Sequence, residues 1–264
     1  MSRSADSRSP VSEVRIRRDL AQLGIEPGDV LVVHSSLSAV GWVIGGATTV
    51  VRALIGVLGE QGTLAMPAAT PYCGDPQSWS DPRISERRLH EGRDRLPLFD
   101  RDSTPTTMGA IAETFRTWPG TLRSDHPLES VCARGPAAAE ITADHRLEFP
   151  EGPGTPFGRL NDLGCRVLLL GVGFNRCTAL HLAETLSAKR RVSTVRFPAL
   201  RDGALRWVEV PNVADDNDTH FPIIGNRFLS TRRPRQGSVG SAPAVLFSMP
   251  DLVRFAMDYF GRTF

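Results

Sequence analysis

The sequence predicts a single α/β domain in which helices flank a mixed, mostly parallel central sheet on both faces. An apolar run at 167–170 ends in a Gly-x-Gly turn and precedes a segment with helical spacing, as a buried strand does before a helix. A second unit comprises an apolar run at 30–33, a glycine-rich loop, an amphipathic segment at 48–58 and another apolar run at 64–66. Strand, helix and strand in this order indicate a parallel or mixed sheet.

The remaining elements are predicted from apolar spacing and from residues that end helices. Residues 1–10 are rich in serine and arginine, and we expect a disordered N-terminal tail there before a domain that spans 11–264. Apolar residues at helical spacing predict a first helix over 11–24, which Gly24 ends. The same reasoning predicts strands at 130–133, 207–210 and 241–247, and helices at 108–118, 137–144, 157–163 and 249–260.

The segment 71–105 carries many charges and has little apolar periodicity. A stretch of this length without clear elements is usually a functional loop, a lid or a disordered insertion. Trp79 and Phe99 favour an ordered lid, because disordered segments contain few aromatic residues. We therefore expect a lid over a substrate at 71–105.

The composition argues against several classes of protein. The chain has 264 residues, a hydrophobic content of 41% and a net charge of +2, which favours neither nucleic acid nor a membrane surface as a partner. The four cysteines (Cys73, Cys132, Cys165 and Cys177) form no CxxC pair, which argues against a zinc site or a disulfide scaffold. No apolar run has the length of a bilayer span, and the first ten residues are polar. We expect a cytoplasmic protein without a metal ion.

The segment after the strand at 167–170 contains a candidate base. On a helix, His181 and Glu184 lie three residues apart on one face, and Thr178 lies one turn earlier. Imidazole accepts a proton near neutral pH, and a neighbouring carboxylate fixes its tautomer and raises its basicity. Alternatively, His181 fills the core and Glu184 is a solvated helix residue. A metal site is disfavoured, because no second His or Cys lies at ligand spacing.

The loop at 34–46 joins the first strand to the next helix and contains serines and glycines. Hydroxyls and backbone N–H groups ahead of a helix form a cradle for a phosphate or an acyl carbonyl. The loop is not a Walker A motif, since no Gly-Lys-Ser/Thr follows. Alternatively, it only turns the chain.

Several motifs in chain order resemble those of one family. They are His34-Ser35-Ser36-Leu37 with Gly41 and Gly45-Gly46; Phe99-Asp100 with Thr104-Pro105-Thr106; Met108-Gly109; Phe115-Arg116; Arg123-Ser124-Asp125-His126-Pro127; Gly154-Thr155-Pro156; and Leu168-Leu169-Leu170-Gly171 followed by Thr178-Ala179-Leu180-His181-x-x-Glu184. The pattern covers nearly the whole chain. It is similar to that of the aminoglycoside 3-N-acetyltransferases, a family separate from the GNAT acetyltransferases.

The resemblance implies an enzyme that transfers an acetyl group directly from acetyl-coenzyme A (acetyl-CoA) to the 3-amino group of an aminoglycoside antibiotic, which confers resistance. It implies that His181 is the general base and that Glu184 orients it. No acyl-enzyme on Ser35 or Cys177 is expected. The coenzyme-binding residues assigned on this basis are His34, Ser35, Ser36, Leu37, Ser38, Val40, Thr104, Met108 and Gly109.

A polycationic acceptor requires carboxylates, and the acidic run at 215–218 is the best local cluster. The resemblance implies that one of its aspartates acts beside the histidine, and we assign Asp216 to this role. The register leaves open which of Asp215, Asp216 and Asp218 corresponds, because Asn212 falls near the place where an acid is expected. A run of Asp and Asn is also typical of a solvated turn. The residues assigned to the acceptor are Asp75, Asp100, Asp215, Asp218 and Thr178.

Other interpretations stay open from the sequence. The acceptor is alternatively another amine, such as a peptide or a biosynthetic intermediate, with the lid deciding the range. A serine hydrolase that uses Ser35 or Ser36 with His181 is a further alternative, although the chain lacks a GxSxG elbow. A ligand-binding domain without catalysis is another. We expect His126 to be structural, the arginines at 227–235 to lie in a solvated loop, and the protein to be a monomer or homodimer.

Overall fold

A seven-stranded sheet lies at the centre of the structure, a computed structural model that describes residues 9–78, 85–93, 95–214 and 218–263. The strands in chain order are β1 (Val30–Ser35), β2 (Thr63–Pro67), β3 (Leu122–Arg123), β4 (Val131–Arg134), β5 (Arg166–Leu170), β6 (Val192–Arg201), β7 (Ala204–Val213), β8 (Arg235–Val239) and β9 (Ala242–Ser248). β6 and β7 form a separate hairpin, and the other strands lie side by side in the order β3-β4-β2-β1-β5-β9-β8.

Parallel pairing is confined to the three central strands of this sheet. β1 pairs in parallel with β2 and with β5, so that Ser35 lies opposite Leu170 at the carboxyl ends of both strands. β3 and β4 on one side, and β8 and β9 on the other, pair antiparallel. The connections within these outer pairs are too short for a crossover, which only parallel neighbours require. The predicted mixed sheet is confirmed, with β2-β1-β5 as its parallel part.

Helices cover both faces of the sheet. Those of the described residues are α1 (Glu13–Leu23), α2 (Leu37–Val40), α3 (Gly46–Leu58), α4 (Glu86–Arg93), α5 (Ala110–Arg116), α6 (Ala138–Thr142), α7 (Pro156–Asp162), α8 (Ala179–Leu186), α9 (His220–Arg232) and α10 (Met249–Thr263). α1 ends as predicted, because Gly24 takes the left-handed conformation (φ 100°) that closes a helix. None of these helices is long and apolar enough to cross a bilayer.

The side chains of β1 show how the two layers form. Leu31 and Val33 belong to a core with α1, α3 and α5, whereas Val32 belongs to a second core with α7, α8, α9 and α10. Successive residues of a strand point to opposite faces, so one strand serves both cores. The predicted α/β domain with helices on both faces is confirmed.

Gly171 allows the end of β5 to meet α2. Its φ is +70°, and a Cβ built at this position would lie 2.3 Å from the Cβ of Ala39. Any larger residue would displace α2 and strain the backbone. The close approach fixes the loop after β1 against the turn that follows β5.

The β6–β7 hairpin packs against the segment 71–105. Phe197 of β6 is fully buried with Cys73 and Leu128, and Tyr72 and Phe99 pack around this small core. Phe99 therefore contributes to the packing of this segment. Trp79, the other aromatic residue on which the lid prediction was based, lies outside the described residues.

Some predicted boundaries and elements differ from the structure. The helix predicted at 108–118 covers only Ala110–Arg116, because Gly109 precedes it with a φ of 92°. The strand predicted at 207–210 belongs to the longer β7, and its partner β6 was not predicted. α9 was not predicted, since Pro222 and Gly225 obscure its helical pattern. Two of the arginines at 227–235 lie on α9 and one begins β8, so the predicted loop is wrong, although these arginines are exposed.

Candidate active site

His181 and Glu184 form a hydrogen-bonded pair on α8. The chain leaves β5 at the carboxyl edge of the parallel strands, makes a 3-10 turn at Phe174–Arg176 and then begins α8. His181 Nδ1 lies 2.7 Å from Glu184 Oε2, and the two side chains are 15% and 8% exposed. Glu184 is thus buried against His181 and is not a solvated helix residue. The edge of the sheet at which ligands bind in open α/β folds carries this pair.

The surroundings of His181 fix its ring and its tautomer. The ring of Phe221 on α9 meets the imidazole edge-on, with centroids 4.8 Å apart. The backbone N–H of His181 donates to the carbonyl of Thr178, 3.0 Å away. A carboxylate only accepts hydrogen bonds, so Nδ1–H donates a hydrogen bond to Glu184 and Nε2 is the basic nitrogen. An imidazole held in this way can act as an oriented base.

A second carboxyl, that of Glu151, interacts with this pair. Glu151 lies on the loop before α7 and is 4% exposed. Burial raises its pKa to about 8, and the charges of Glu129 and Glu184 act in the same direction, whereas His181 opposes them. Burial and the neighbouring carboxylates therefore favour the protonated form of this carboxyl.

The predicted coenzyme loop divides into solvent-facing hydroxyls and buried residues. Ser36 Oγ lies 3.0 Å from Ser38 Oγ, and Ser38 is exposed just after the carboxyl end of β1. Leu37 packs against the core. Val40 is fully buried, its N–H donates to Ser36 and its carbonyl accepts from Ser241. The structure therefore gives Val40 a packing role rather than a surface for the coenzyme.

His34 is a buried imidazole at the carboxyl end of β1. It lies opposite Leu169 of β5 and is 7% exposed. Burial lowers its pKa to about 4, so the ring is neutral at physiological pH and offers hydrogen bonds rather than charge. Its Nε2 has no hydrogen-bond partner among the residues described. A buried polar atom of this kind is expected to meet a ligand or a water.

The second predicted part of the coenzyme site lies between the lid and α5. Thr104 is buried, its Oγ1 accepts from the N–H of Asp100 (2.8 Å), and its carbonyl accepts from Arg123 (2.5 Å). Thr104 thus holds a turn of the segment 71–105. Met108 is 38% exposed and, with Gly109, immediately precedes α5. Of these three predicted coenzyme-binding residues, Met108 and Gly109 are therefore the ones exposed to solvent.

The predicted acceptor-binding acids have different surroundings. Asp75 is 3% exposed, and its carboxylate pairs with Arg93 (3.0 Å) and Arg196 (3.5 Å), which lowers its pKa. This pairing favours a role in holding the segment 71–105 to β6. Asp100 accepts hydrogen bonds from Ser103 in its own exposed turn.

The acidic run at 215–218 is only partly visible. Asp218 Oδ1 accepts a hydrogen bond from Asn175 Nδ2, 3.1 Å away, which connects it to the turn before α8. Asp215 and Asp216, the assigned acceptor and catalytic residues, lie outside the described residues. Within the residues that are described, no three His, Cys, Asp or Glu side chains are placed to hold a metal ion.

His126 is structural, as expected. Its Nδ1 accepts from the backbone N–H groups of Leu128 and Glu129, and its Nε2 lies 3.2 Å from the carbonyl of Leu147. Burial lowers its pKa to about 4. The ring therefore shapes the turn before β4 as a neutral hydrogen-bonding group.

A sequence model of a known family matches most of the chain. This model, described as aminoglycoside 3-N-acetyltransferase, matches residues 32–261. The chain belongs to this family. The resemblance inferred from the motifs is thereby confirmed, and the chain is a transferase.

Curated relatives match this family member along nearly its whole length. The SPbeta prophage-derived aminoglycoside N(3')-acetyltransferase-like protein YokD of Bacillus subtilis is 37% identical over 253 residues, which cover 95% of this chain and 93% of YokD. The aminoglycoside N(3)-acetyltransferase IX of Micromonospora chalcea is 36% identical, and the match covers 96% of this chain and 94% of that enzyme.

Solved structures of similar proteins share the fold. The crystal structure of YokD superposes with a TM-score of 0.93 at 36% identity and covers 98% of this chain and 97% of that one. AAC-IIIb, in a binary complex with CoASH, gives 0.84 at 30% identity, with 97% and 98% covered. AAC-VIa, bound to sisomicin, gives 0.84 at 31% identity, with 96% and 98% covered.

In this family member, sequence reasoning missed two residues of the site. Phe221 lies on α9, which was not predicted, and Glu151 lies in a loop rich in glycine and proline that shows no periodicity. A buried acid in such a loop has no local signal. Only the packing of that loop beside α8 brings it near the His181–Glu184 pair.

Proposed function

We propose that this enzyme transfers the acetyl group of acetyl-CoA to the 3-amino group of an aminoglycoside, by direct transfer with His181 as general base. The observation that carries the proposal is the 2.7 Å hydrogen bond between His181 Nδ1 and Glu184 Oε2 at the ligand-binding edge of the sheet. The relatives add support, because AAC-IIIb was solved with CoASH and AAC-VIa with sisomicin. The modified antibiotic would no longer act, which confers resistance.

His181 supplies the proton transfer that the reaction requires. An amine is nucleophilic only in its neutral form. As the neutral amine attacks the thioester carbon its nitrogen becomes positively charged, and Nε2 of His181 takes one proton from it. The resulting imidazolium is stabilised by Glu184 through Nδ1–H. When the carbon–sulfur bond breaks, the same proton passes to the departing thiolate, and the base is restored. Glu184 thereby acts through His181.

The loop after β1 is proposed to bind the donor. The thioester oxygen becomes an oxyanion during attack and needs hydrogen-bond donors that are already in place. Hydroxyls of Ser35, Ser36 and Ser38 and the N–H groups of this loop meet that need. The unpartnered buried Nε2 of His34 fits a polar ligand here. Met108 and Gly109 would complete the coenzyme site beside α5.

Direct transfer is supported by the state of the candidate nucleophiles. Cys177 is fully buried, and burial raises the pKa of its thiol to about 12, which leaves almost no thiolate. The hydroxyl of Ser36 is hydrogen-bonded to Ser38. Acetyl-CoA and the acceptor would therefore meet in a ternary complex.

The acceptor is proposed to bind through acidic residues at the same edge. Asp218 is placed next to Asn175 before α8, and Asp216 and Asp215 remain the assigned catalytic and binding acids. Thr178, one turn before His181, and Asp100 in the lid are further proposed contacts. All four cysteines are unpaired, which fits the proposed cytoplasmic location; we propose a monomer or homodimer.

Thiol release from acetyl-CoA, with sisomicin and gentamicin as acceptors, tests the proposal. The wild-type protein should release thiol rapidly, and His181→Ala should lower kcat by about 100-fold or more, in line with the loss of a general base. Coenzyme affinity and the thermal midpoint of the variant should stay unchanged. Near wild-type turnover in His181→Ala would refute the assigned base. Thiol release only with other amines would show that the acceptor is not an aminoglycoside. A wild-type protein that does not bind acetyl-CoA would refute the proposal.

A further inference from the structure

Glu151 is a buried carboxyl beside the catalytic pair that the mechanism above does not use. Its loop is fixed on both sides of the residue. The N–H of Phe149 donates to the carbonyl of Pro211 on β7 (3.1 Å), and the N–H of Gly152 donates to the carbonyl of Phe149 (2.8 Å). The carboxyl is therefore held in place between the hairpin and α8, with 4% of the residue exposed.

Two carboxylates and one histidine act on the charge of Glu151. Glu129 from the turn before β4, and His181 and Glu184 from α8, are the charged groups that act on it. No arginine or lysine of the described residues forms an ion pair with it, unlike the two arginines that pair with Asp75. A buried carboxyl among other carboxylates is costly when ionised. The site accordingly favours either a proton or an incoming cation.

A second buried polar group, the hydroxyl of Thr185, lies beside the loop that carries Glu151. Thr185 follows Glu184 on α8 and is 7% exposed. Its Cγ2 lies 3.1 Å from the position that a Cβ would take at Gly152, so its side chain packs on the loop that carries Glu151. Its Oγ1 is buried and has no hydrogen-bond partner within the described part of the chain. Buried hydroxyls normally have a partner, which points to a ligand or a water here.

We propose that Glu151 is an acceptor-binding residue, which accepts a hydrogen bond from an ammonium group of the polyamine next to the amine that His181 deprotonates. The inference rests on the proposed function, in which the acceptor is an aminoglycoside. In the empty enzyme, the proton on Glu151 removes one negative charge from the crowded site. An arriving ammonium replaces that proton, the carboxyl O–H bond breaks, and the proton leaves to solvent. Acceptor binding is thereby coupled to proton release.

Glu151→Gln tests this role, with Glu148→Gln as the matched control. Glutamine keeps the size and an accepting oxygen, but it has neither charge nor a proton to release. Glu148 lies three residues away on the same loop and is exposed. A charge-assisted hydrogen bond should be lost, so the sisomicin KM should rise about tenfold or more in Glu151→Gln. The acetyl-CoA KM should stay within about twofold, and Glu148→Gln should match the wild type on both.

Calorimetry measures the coupled proton directly. Sisomicin binding is followed at neutral pH in two buffers with different ionisation enthalpies, which gives the number of protons released. Glu151→Gln should release about one proton fewer than the wild type and Glu148→Gln. An unchanged sisomicin KM together with unchanged proton release in Glu151→Gln would overturn the inference.

A titration of the wild-type protein keeps the test valid if Glu151→Gln does not fold. The 13C resonance of the Glu151 carboxyl is followed against pH with no amine, with sisomicin and with spermine. Either amine should move the titration midpoint to lower pH, and a midpoint that neither amine moves overturns the inference. A protein that acetylates no aminoglycoside, but whose midpoint moves with spermine, refutes the proposed function and supports this role of Glu151.

Discussion

Replacing Glu184 by glutamine tests the pair on α8 at nearly constant size. Glu184 Oε2 lies 2.7 Å from His181 Nδ1, and the side chains are 8% and 15% exposed. Glutamine keeps an oxygen that accepts from Nδ1–H, so the ring stays oriented and only the negative charge is lost. The substitution therefore separates electrostatic support of the base from its positioning.

The geometry bounds the expected loss. Two opposite charges about 4 Å apart attract by about 4 kcal/mol at an effective dielectric constant of about 20, before the cost of removing them from water. The net contribution of a hydrogen bond to a charged group is about 1.5–3 kcal/mol. Because the ring gains its positive charge as it takes the proton, most of this stabilisation belongs to the transition state. Since about 1.4 kcal/mol corresponds to a tenfold rate change, kcat should fall about 10- to 100-fold.

Thiol release with sisomicin across the neutral pH range measures this effect. The acidic limb of kcat/KM should move to lower pH, because the imidazole binds its proton less tightly without the carboxylate. In a His181→Ala background, the same substitution should change the residual rate by less than about twofold, since the two residues act as a unit. A folded Glu184→Gln enzyme with the kcat and pH profile of the wild type would show that the pair does not support the base.

Two further measurements address the lid and the buried histidines. Asp75→Ala removes the carboxylate that pairs with Arg93 and Arg196. The free energy of unfolding should therefore fall by about 2–3 kcal/mol, while the sisomicin KM changes little. A raised sisomicin KM at unchanged stability would instead indicate that Asp75 contacts the acceptor. His145 lies just after α6 and, like His126, is buried. Burial lowers the pKa of His126 from 6.5 to about 4 and that of His145 from 6.5 to about 3. As the pH falls, each imidazole therefore binds its proton in the unfolded chain before it does so in the folded protein. As the pH falls from 6.5 towards these pKa values, the free energy of unfolding should decrease by about 1.4 kcal/mol per pH unit for each histidine. Urea unfolding at several pH values should show a slope that is smaller by one proton in His126→Asn, and an equal slope would contradict this assignment.

The features that depend on local spacing were predictable. The strand, helix and strand at β1, α3 and β2 follow from two hydrophobic runs and an amphipathic segment between them. The pair on α8 was also predictable, because residues three apart on a helix meet wherever that helix packs. Gly24 could be assigned as a helix end, since its conformation is rarely available to other residues.

The features that depend on partners far away in the sequence were not predictable. Asp75 was predicted to bind the acceptor, but its partner Arg196 lies on β6, far away in the sequence. Val40 was assigned to the coenzyme from a motif, yet packing of α2 against the β8–β9 turn buries it. Helix α9 was missed because tertiary contacts, such as that of Phe221 with His181, hold it despite an irregular pattern.

The sequence by itself determined the family, the α/β class of the fold and the histidine–glutamate pair, because motif order, hydrophobic period and helical spacing are local properties of the chain. Only the tertiary structure decided which polar residues are neutralised and which stay poised for a ligand. Asp75 meets two arginines, whereas Glu151 meets two carboxylates and a histidine, although both are buried acids in loops. That difference arises from which distant segments fold against each carboxyl. Burial raises the pKa of both, but the hydrogen bonds and charges around Asp75 outweigh burial and lower its pKa, whereas the carboxylates around Glu151 raise its pKa further.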